Sequence, residues 1–126
     1  GIPVSTADTV VVPAGYTAEV LYAWGDPVSE GPGFRPDAGG SAAEQKAQAG
    51  MHHDGLQFFP LPAGGSDSTH GLLAINHEYT DANQIYTAVQ GAAITAGAAG
   101  REKVAKALAG HGVSVISITC STPSTC

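Results

Sequence analysis

The sequence is poor in basic residues, in cysteine and in long hydrophobic runs. Only 5 of its 126 residues are lysine or arginine, against 11 aspartates and glutamates, so the formal net charge is −6. This deficit argues against nucleic-acid binding, because that function depends on lysine and arginine contacts to phosphates. No apolar run approaches the roughly 20 residues that a helix needs to cross a bilayer. The length suffices for one compact domain and not for two.

The two cysteines, Cys120 and Cys126, stand at the end of the sequence. Their spacing fits neither a zinc knuckle nor a CxxC redox pair, so a local disulfide and two free thiols both remain open. The standard spaced motifs of enzymes are also missing: the sequence has no HExxH, EF-hand loop, P-loop or GxSxG. A functional site must therefore be assembled from residues that are distant in sequence.

Two short apolar segments on either side of a turn-like loop predict a β-hairpin. Residues 56–61 are rich in aromatic side chains, and residues 71–75 form an apolar block typical of a strand buried on both faces. Between them, residues 62–69 have the proline, glycine and serine content of a loop. Neighbouring strands with a short connection most simply pair antiparallel. The start of the first strand and the end of the second then lie at the same edge.

Polar residues occupy both of these strand ends. Residues 52–54 read His-His-Asp, and residues 76–78 read Asn-His-Glu. Carboxylate and amide oxygens suit calcium, magnesium or manganese, and imidazoles beside them extend the choice to iron or zinc. A histidine near a carboxylate can also act as a general acid or base. The alternative is purely structural, because Asp-Gly is a common turn and a histidine at a strand end is often only hydrogen-bonded.

The rest of the chain predicts further strands and two short helices. Residues 16–24 alternate in polarity and predict a strand with one buried face, and residues 113–118 predict a final strand. A long irregular loop covers residues 25–40. A capping box at its end predicts a helix over residues 42–49. The sequence thus predicts a mainly β protein with short helices and antiparallel strands.

The strongest helix prediction covers residues 101–109. Val104 and Leu108 share one face, which we expect to be the apolar side of this helix. Glu102 and Lys106 are spaced for an i,i+4 ion pair, and the basic residues of the segment are expected on its solvated side.

Several stretches together resemble the PhoX-type bacterial alkaline phosphatases. They read VPAGYTAEVLYAWGDP (residues 12–27), GMHHDG (50–55), FPL (59–61), GLLAINHEYT (71–80) and HGVSVI (111–116). Their order and spacing fit the family from about residue 9 to residue 118. The resemblance implies a β-propeller scaffold, a periplasmic or extracellular location, and hydrolysis of phosphomonoesters at a site that holds iron and calcium. With the strand-end residues it implies a metal site at Asp54, Glu78, His53 and His77.

The resemblance is to the N-terminal portion of such a phosphatase only. The family's Asn-Cys-Ala-Gly-Gly motif, whose cysteine binds iron, has no counterpart here, and Cys120 stands in an unrelated context. We therefore expect residues 1–118 to form the N-terminal portion of a PhoX-like domain, with one or two propeller blades, and residues 119–126 to be an unrelated Ser/Thr/Cys tail. Such a portion is expected to be inactive alone.

Two alternatives differ from an enzyme portion. One is a non-catalytic β-sheet module that self-assembles or binds a partner chain through unpaired strand edges. The other is a calcium-stabilised binding domain. For a propeller portion with open apolar faces we expect self-association or a partner chain, since monomers rarely expose large apolar patches.

Overall fold

The computed structural model describes residues 2–121, which form three β-strands and two helices. In chain order these are α1 (Ala42–Gln45), β1 (His53–Pro60), β2 (His70–His77), α2 (Ala98–Ala109) and β3 (Gly112–Thr119). The predicted mainly β architecture with antiparallel strands and short helices is therefore confirmed. The part of the predicted tail beyond residue 121 lies outside the described residues.

The three strands form one antiparallel sheet in the order β1-β2-β3. The predicted hairpin is confirmed, because β1 pairs with β2 from His53 opposite His77 to Pro60 opposite Gly71. An irregularity between His53 and Leu56 shifts the register near the start of β1. Strand β3 pairs along the whole length of β2. The apolar block is thus part of the central strand. Strands β2 and β3 extend beyond their predicted ranges at both ends, whereas β1 begins three residues earlier than predicted and ends one residue earlier.

The strand predicted over residues 16–24 is wrong. This segment has no strand structure, and Val20 and Leu21 are 85% and 66% exposed. An alternating pattern favours a strand only where a neighbouring backbone can pair with it. No neighbouring strand within residues 2–121 pairs with this segment. Its end is nevertheless anchored, because the Trp24 indole N–H donates to Gln45 Oε1 over 2.9 Å.

Helix α1 is shorter than the predicted range of 42–49. Its capping box is present as expected, with Glu44 N–H donating to Ser41 Oγ and Ser41 N–H donating to the Glu44 carboxylate. After Gln45 the backbone leaves the helix, because Gln48 forms a β-bridge with Pro27 and Ala49 N–H donates to Asp26 O over 2.7 Å. These long-range hydrogen bonds replace the ones that a longer helix would make.

Helix α2 begins three residues earlier than predicted, at Ala98 rather than Arg101. The face that it buries is the one predicted to be exposed, and the face that it exposes is the one predicted to be buried. The lysines expected on the solvated side, Lys103 and Lys106, are buried. Val104 and Leu108, expected on the buried face, are 44% and 67% exposed.

Polar contacts explain this orientation of α2. Lys103 Nζ donates to three carbonyl oxygens in the preceding loop, and Lys106 Nζ donates to Ala38 O. The predicted ion pair between Glu102 and Lys106 is not formed among the described residues, because the Glu102 carboxylate instead accepts from Ala42 N–H over 2.7 Å. The ammonium and carboxylate groups thus join α2 to α1 and to its neighbouring loops.

The small core lies beside the His53–His77 end of the hairpin. It consists of Met51, Ile85 and Tyr86, with Trp24 and Ala82 packed against it. Met51 N–H donates to Gly110 O over 3.1 Å, which joins the start of β1 to the α2–β3 connection. The opposite end of the sheet is less buried, as Phe59 shows with 52% exposure. Within the described residues, no helix combines the length and apolar character needed to cross a membrane.

Candidate functional site

The two polar strand ends meet, as the sequence predicts. His53 is the register partner of His77, and Glu78 N–H donates to His52 O over 3.1 Å. Asp54 directly follows His53 and Glu78 directly follows His77, so both lie at the same end of the hairpin, and both are exposed. The geometric part of the prediction is confirmed.

Gly50 allows this end of the hairpin to pack closely. A Cβ atom at this position would overlap Gly110 O and the side chain of His77. The absence of a side chain lets the backbone before β1 lie directly against the end of β2 and the α2–β3 connection. His52, two residues later, has a positive φ of 49°. The chain thus turns sharply between the core residue Met51 and the first residue of β1.

Three aromatic rings form a cluster at this end of the sheet. The rings of His53 and His77 have centroids 4.8 Å apart. Tyr22 stacks on His53 at 5.3 Å with the two ring planes 24° apart, and its ring centroid lies 6.4 Å from that of His77. We call Tyr22, His53 and His77 the aromatic cluster. It fixes the residue at which the otherwise exposed N-terminal segment joins the folded part of the chain.

Each histidine of the aromatic cluster makes one hydrogen bond. His77 Nε2 lies 2.7 Å from Ser114 Oγ on β3, and His53 Nε2 lies 3.2 Å from Gly50 O. The pKa of the His77 imidazole is lowered, chiefly because burial disfavours its charged form and secondly because His53 is nearby. The geometry of both rings is that of packed, hydrogen-bonded side chains.

Three buried polar atoms near this end have no hydrogen-bond partner among residues 2–121. They are the Tyr22 hydroxyl, His52 Nε2 and His77 Nδ1. Unpaired buried polar atoms are uncommon in folded proteins and call for a bound water, ion or ligand. The His52 ring is stacked on Tyr79, with centroids 3.8 Å apart, and so belongs to a separate contact. Two of the three unpaired atoms, the Tyr22 hydroxyl and His77 Nδ1, therefore belong to the aromatic cluster.

The candidate metal ligands do not form a complete site within the described residues. No group of three or more His, Cys, Asp or Glu side chains in residues 2–121 is arranged to hold a metal ion. Asp54 and Glu78 make no ion pair or side-chain hydrogen bond with other described residues, so their oxygens are available. The hairpin end therefore offers two exposed carboxylates, one directly after each of the paired residues His53 and His77.

Sequence reasoning missed two residues of this site. Tyr22 lies in the segment predicted as a strand, residues 16–24, and Ser114 lies in the predicted final strand, residues 113–118. The alternation of the final strand does place Ser114 on one face, where the register sets it opposite Ile75. No pattern in the sequence indicated that it would meet His77.

These features define a mainly β polypeptide in which polar side chains gather at one end of an antiparallel hairpin. The family model of the alkaline phosphatase PhoX matches residues 1–124. The chain therefore belongs to the PhoX alkaline phosphatase family.

A solved structure of Pseudomonas fluorescens PhoX, in complex with the transition-state analogue vanadate, is similar to this chain. The two are 38% identical, with a TM-score of 0.82, over 96% of this chain and 20% of that one. The chain thus spans about a fifth of the length of the structure that it matches. A comparison with curated protein sequences found no match.

Proposed function

We propose that this chain is the N-terminal portion of an exported, metal-dependent phosphomonoesterase and is inactive alone. The observation that carries the proposal is the meeting of Asp54 and Glu78 at one hairpin end within a chain of the PhoX family. The vanadate bound to the similar Pseudomonas protein supports phosphoryl chemistry for that protein. The export to the periplasm or the exterior rests on family membership.

Calcium is the metal that the exposed carboxylates fit best. Calcium takes 6–8 oxygen ligands, and carboxylates of unpaired Asp and Glu are typical among them. Asp54 and Glu78 would supply part of such a set, and the remaining ligands would come from elsewhere in the complete enzyme. A bound metal ion can hold phosphoryl oxygens and activate an oxygen nucleophile.

Iron fits the described residues less well. The Nε2 atoms of His53 and His77 are already hydrogen-bonded, and the His53 ring is stacked face-on against Tyr22. Among the buried polar atoms of the aromatic cluster, His77 Nδ1 and the Tyr22 hydroxyl have no hydrogen-bond partner in residues 2–121. We therefore assign the carboxylates a metal-binding role, and His53 and His77 an auxiliary place beside them.

We further propose that the three-stranded sheet is part of a propeller blade. Its central strand is paired on both sides, while β1 and β3 are edges within the described residues. Apolar side chains on these edge strands, including Phe59, Val113 and Val115, are more than half exposed. A blade packed between neighbours would cover them, and a propeller closes only when enough blades are present.

Hydrolysis of a generic phosphomonoester tests this function. We expect no turnover by the chain alone, with or without calcium and iron. Mixed with a version of the Pseudomonas phosphatase that lacks the matched fifth, the chain should restore turnover. Glu78→Gln should abolish this restored turnover, whereas Glu30→Gln, at an exposed loop position, should leave it unchanged. Metal-dependent turnover by the isolated chain, lost in Glu78→Gln, would contradict the proposed need for the remainder.

A non-catalytic, self-assembling sheet module is the second candidate. The exposed apolar side chains on both edge strands favour it, because such edges readily pair with another chain. It predicts higher assemblies in light scattering and no restored turnover in the mixing experiment. Restored turnover would exclude a purely structural role.

A further inference from the structure

Ser114 is the one hydrogen-bond partner of the buried His77 side chain within residues 2–121. Its Oγ lies 2.7 Å from His77 Nε2, and the other ring nitrogen, Nδ1, is buried without a partner. Ser114 and His77 are only 9% and 4% exposed. The contact is therefore interior to this chain, and it does not depend on what covers the surface.

The pairing of β2 with β3 explains how a serine on one strand meets a histidine on the other. His77 is opposite Gly112, and Ser114 is two residues further along β3, so His77 and Ser114 are diagonal neighbours. Diagonal neighbours on paired strands share one face of the sheet. On β3 the adjacent Val113 and Val115 are more than half exposed, which places Ser114 on the buried face.

The same hydrogen bond favours one protonation site on the His77 ring. A proton on Nδ1 would be a buried donor, fixed in the ring, with no acceptor among the described residues. Leaving such a donor unpaired costs free energy. A proton on Nε2 is instead donated to Ser114 Oγ, and the serine hydroxyl hydrogen can rotate away to suit it. The ring is thus protonated on Nε2.

His77 is the last residue of β2, and Glu78 follows it directly. Successive side chains of a strand point to opposite faces, so the buried His77 ring anchors the strand end while the Glu78 side chain stays exposed. Past the end of the strand, Glu78 N–H donates to His52 O. A change in the placement of the His77 ring therefore shifts the backbone that carries the Glu78 carboxylate.

We propose that Ser114 is a positioning residue for Glu78. It holds the His77 ring in one orientation, protonated on Nε2, and so fixes the end of β2 and the place of the Glu78 carboxylate. The inference rests on the proposed function, in which Glu78 supplies an oxygen ligand to calcium. Groups that orient a metal ligand change the affinity without touching the metal.

Calcium affinity in the chain combined with the Pseudomonas phosphatase that lacks the matched fifth tests this role. Ser114→Ala should weaken calcium binding by about three- to tenfold, less than the roughly 10–100-fold typical of a direct partner of a ligand. Ser114→Thr keeps a hydroxyl group and suits a strand, so it should restore most of the affinity. Ser117→Ala makes the same change at an exposed position of β3 and should bind calcium as the unaltered chain does.

Proton–nitrogen NMR of the same combined protein, with isotope-labelled histidine in the chain, provides a second readout. In the unaltered chain, His77 should carry its proton on Nε2. A proton on Nδ1, or a Ser114→Ala variant that binds calcium as tightly as Ser117→Ala, would overturn the inference. In either case, weakened calcium binding by Glu78→Gln would leave the proposed function standing. If Glu78→Gln also binds calcium as the unaltered chain does, the proposed function fails together with the inference.

Discussion

Lys103→Met is the substitution that best tests the inverted orientation of α2. The Lys103 ammonium donates to the carbonyl oxygens of Gln90, Gly91 and Ala93 at 2.8, 2.6 and 2.7 Å, and lies 4.8 Å from the centroid of the Tyr86 ring. Methionine keeps the apolar stem and removes every one of these contacts.

The expected loss follows from these contacts. A hydrogen bond to a charged group contributes about 1.5–3 kcal/mol, and a cation–π contact about 0.5–2 kcal/mol. Water can reach the three carbonyls once the ammonium is gone, because the residues that carry them are exposed. We therefore expect the free energy of unfolding to fall by about 2–4 kcal/mol, well below the sum of the separate contacts.

Urea denaturation provides the measurement, with Lys46→Met as the matched control. The same chemical change at exposed Lys46 should alter the free energy of unfolding by less than about 0.5 kcal/mol. At an m-value of about 2 kcal/mol/M, Lys103→Met should lower the midpoint by about 1–2 M. Equal midpoints for the two variants would refute the conclusion that Lys103 is an interior residue.

Three further predictions concern the hairpin end and α1. Gly50→Ala should lower the free energy of unfolding by about 1–3 kcal/mol, because the added Cβ would overlap Gly110 O. The control Gly55→Ala adds a Cβ that meets no atom within 4 Å, and it should lower the free energy of unfolding by less than about 1 kcal/mol. The denaturation midpoints of the two variants provide the comparison. Ser41→Ala removes the cap of α1 and should cost about 1 kcal/mol by the same assay, and an unchanged midpoint would contradict the capping role. The pKa of His77 is lowered from 6.5, so the unfolded chain binds more protons and the free energy of unfolding should fall as the pH drops below about 6.5; a His77→Gln variant with the same pH dependence would contradict this.

The hairpin was predictable because two local patterns agreed. A loop rich in glycine and proline separates two apolar blocks, and a short connection of this kind favours antiparallel pairing. The two strands have nearly equal lengths on either side of the loop, which indicates their register. The sequence therefore also predicts that Asp54 and Glu78 lie at the same end of the hairpin. The ends of the strands were less predictable, because they depend on backbone pairing: β1 begins at His53, opposite His77, and pairing between β2 and β3 extends from His70 to His77.

The sequence alone does not predict which face of α2 is buried, nor that residues 16–24 form no strand. Both features depend on contacts with residues that are distant in sequence. Hydrophobic periodicity predicts that Val104 is buried. Instead Lys103 is buried, because it donates hydrogen bonds to backbone carbonyls in the preceding loop, and no local sequence pattern indicates these contacts. The alternation of residues 16–24 favours a strand, but only a pairing partner makes one. The aromatic cluster was missed for the same reason, since Tyr22 meets His53 across 31 residues of sequence.

Calcium titration of the chain combined with the Pseudomonas phosphatase that lacks the matched fifth tests the central claim most directly, because Asp54 and Glu78 would supply only part of a calcium site. By isothermal titration calorimetry, Asp54→Asn and Glu78→Gln should each weaken calcium binding by about tenfold or more, equal to about 1.4 kcal/mol. Because the two residues would serve one ion, the double variant should lose less than the sum of the two single effects. Glu30→Gln should bind as the unaltered chain does. If Glu78→Gln binds calcium as tightly as Glu30→Gln does, the hairpin end is not a metal site.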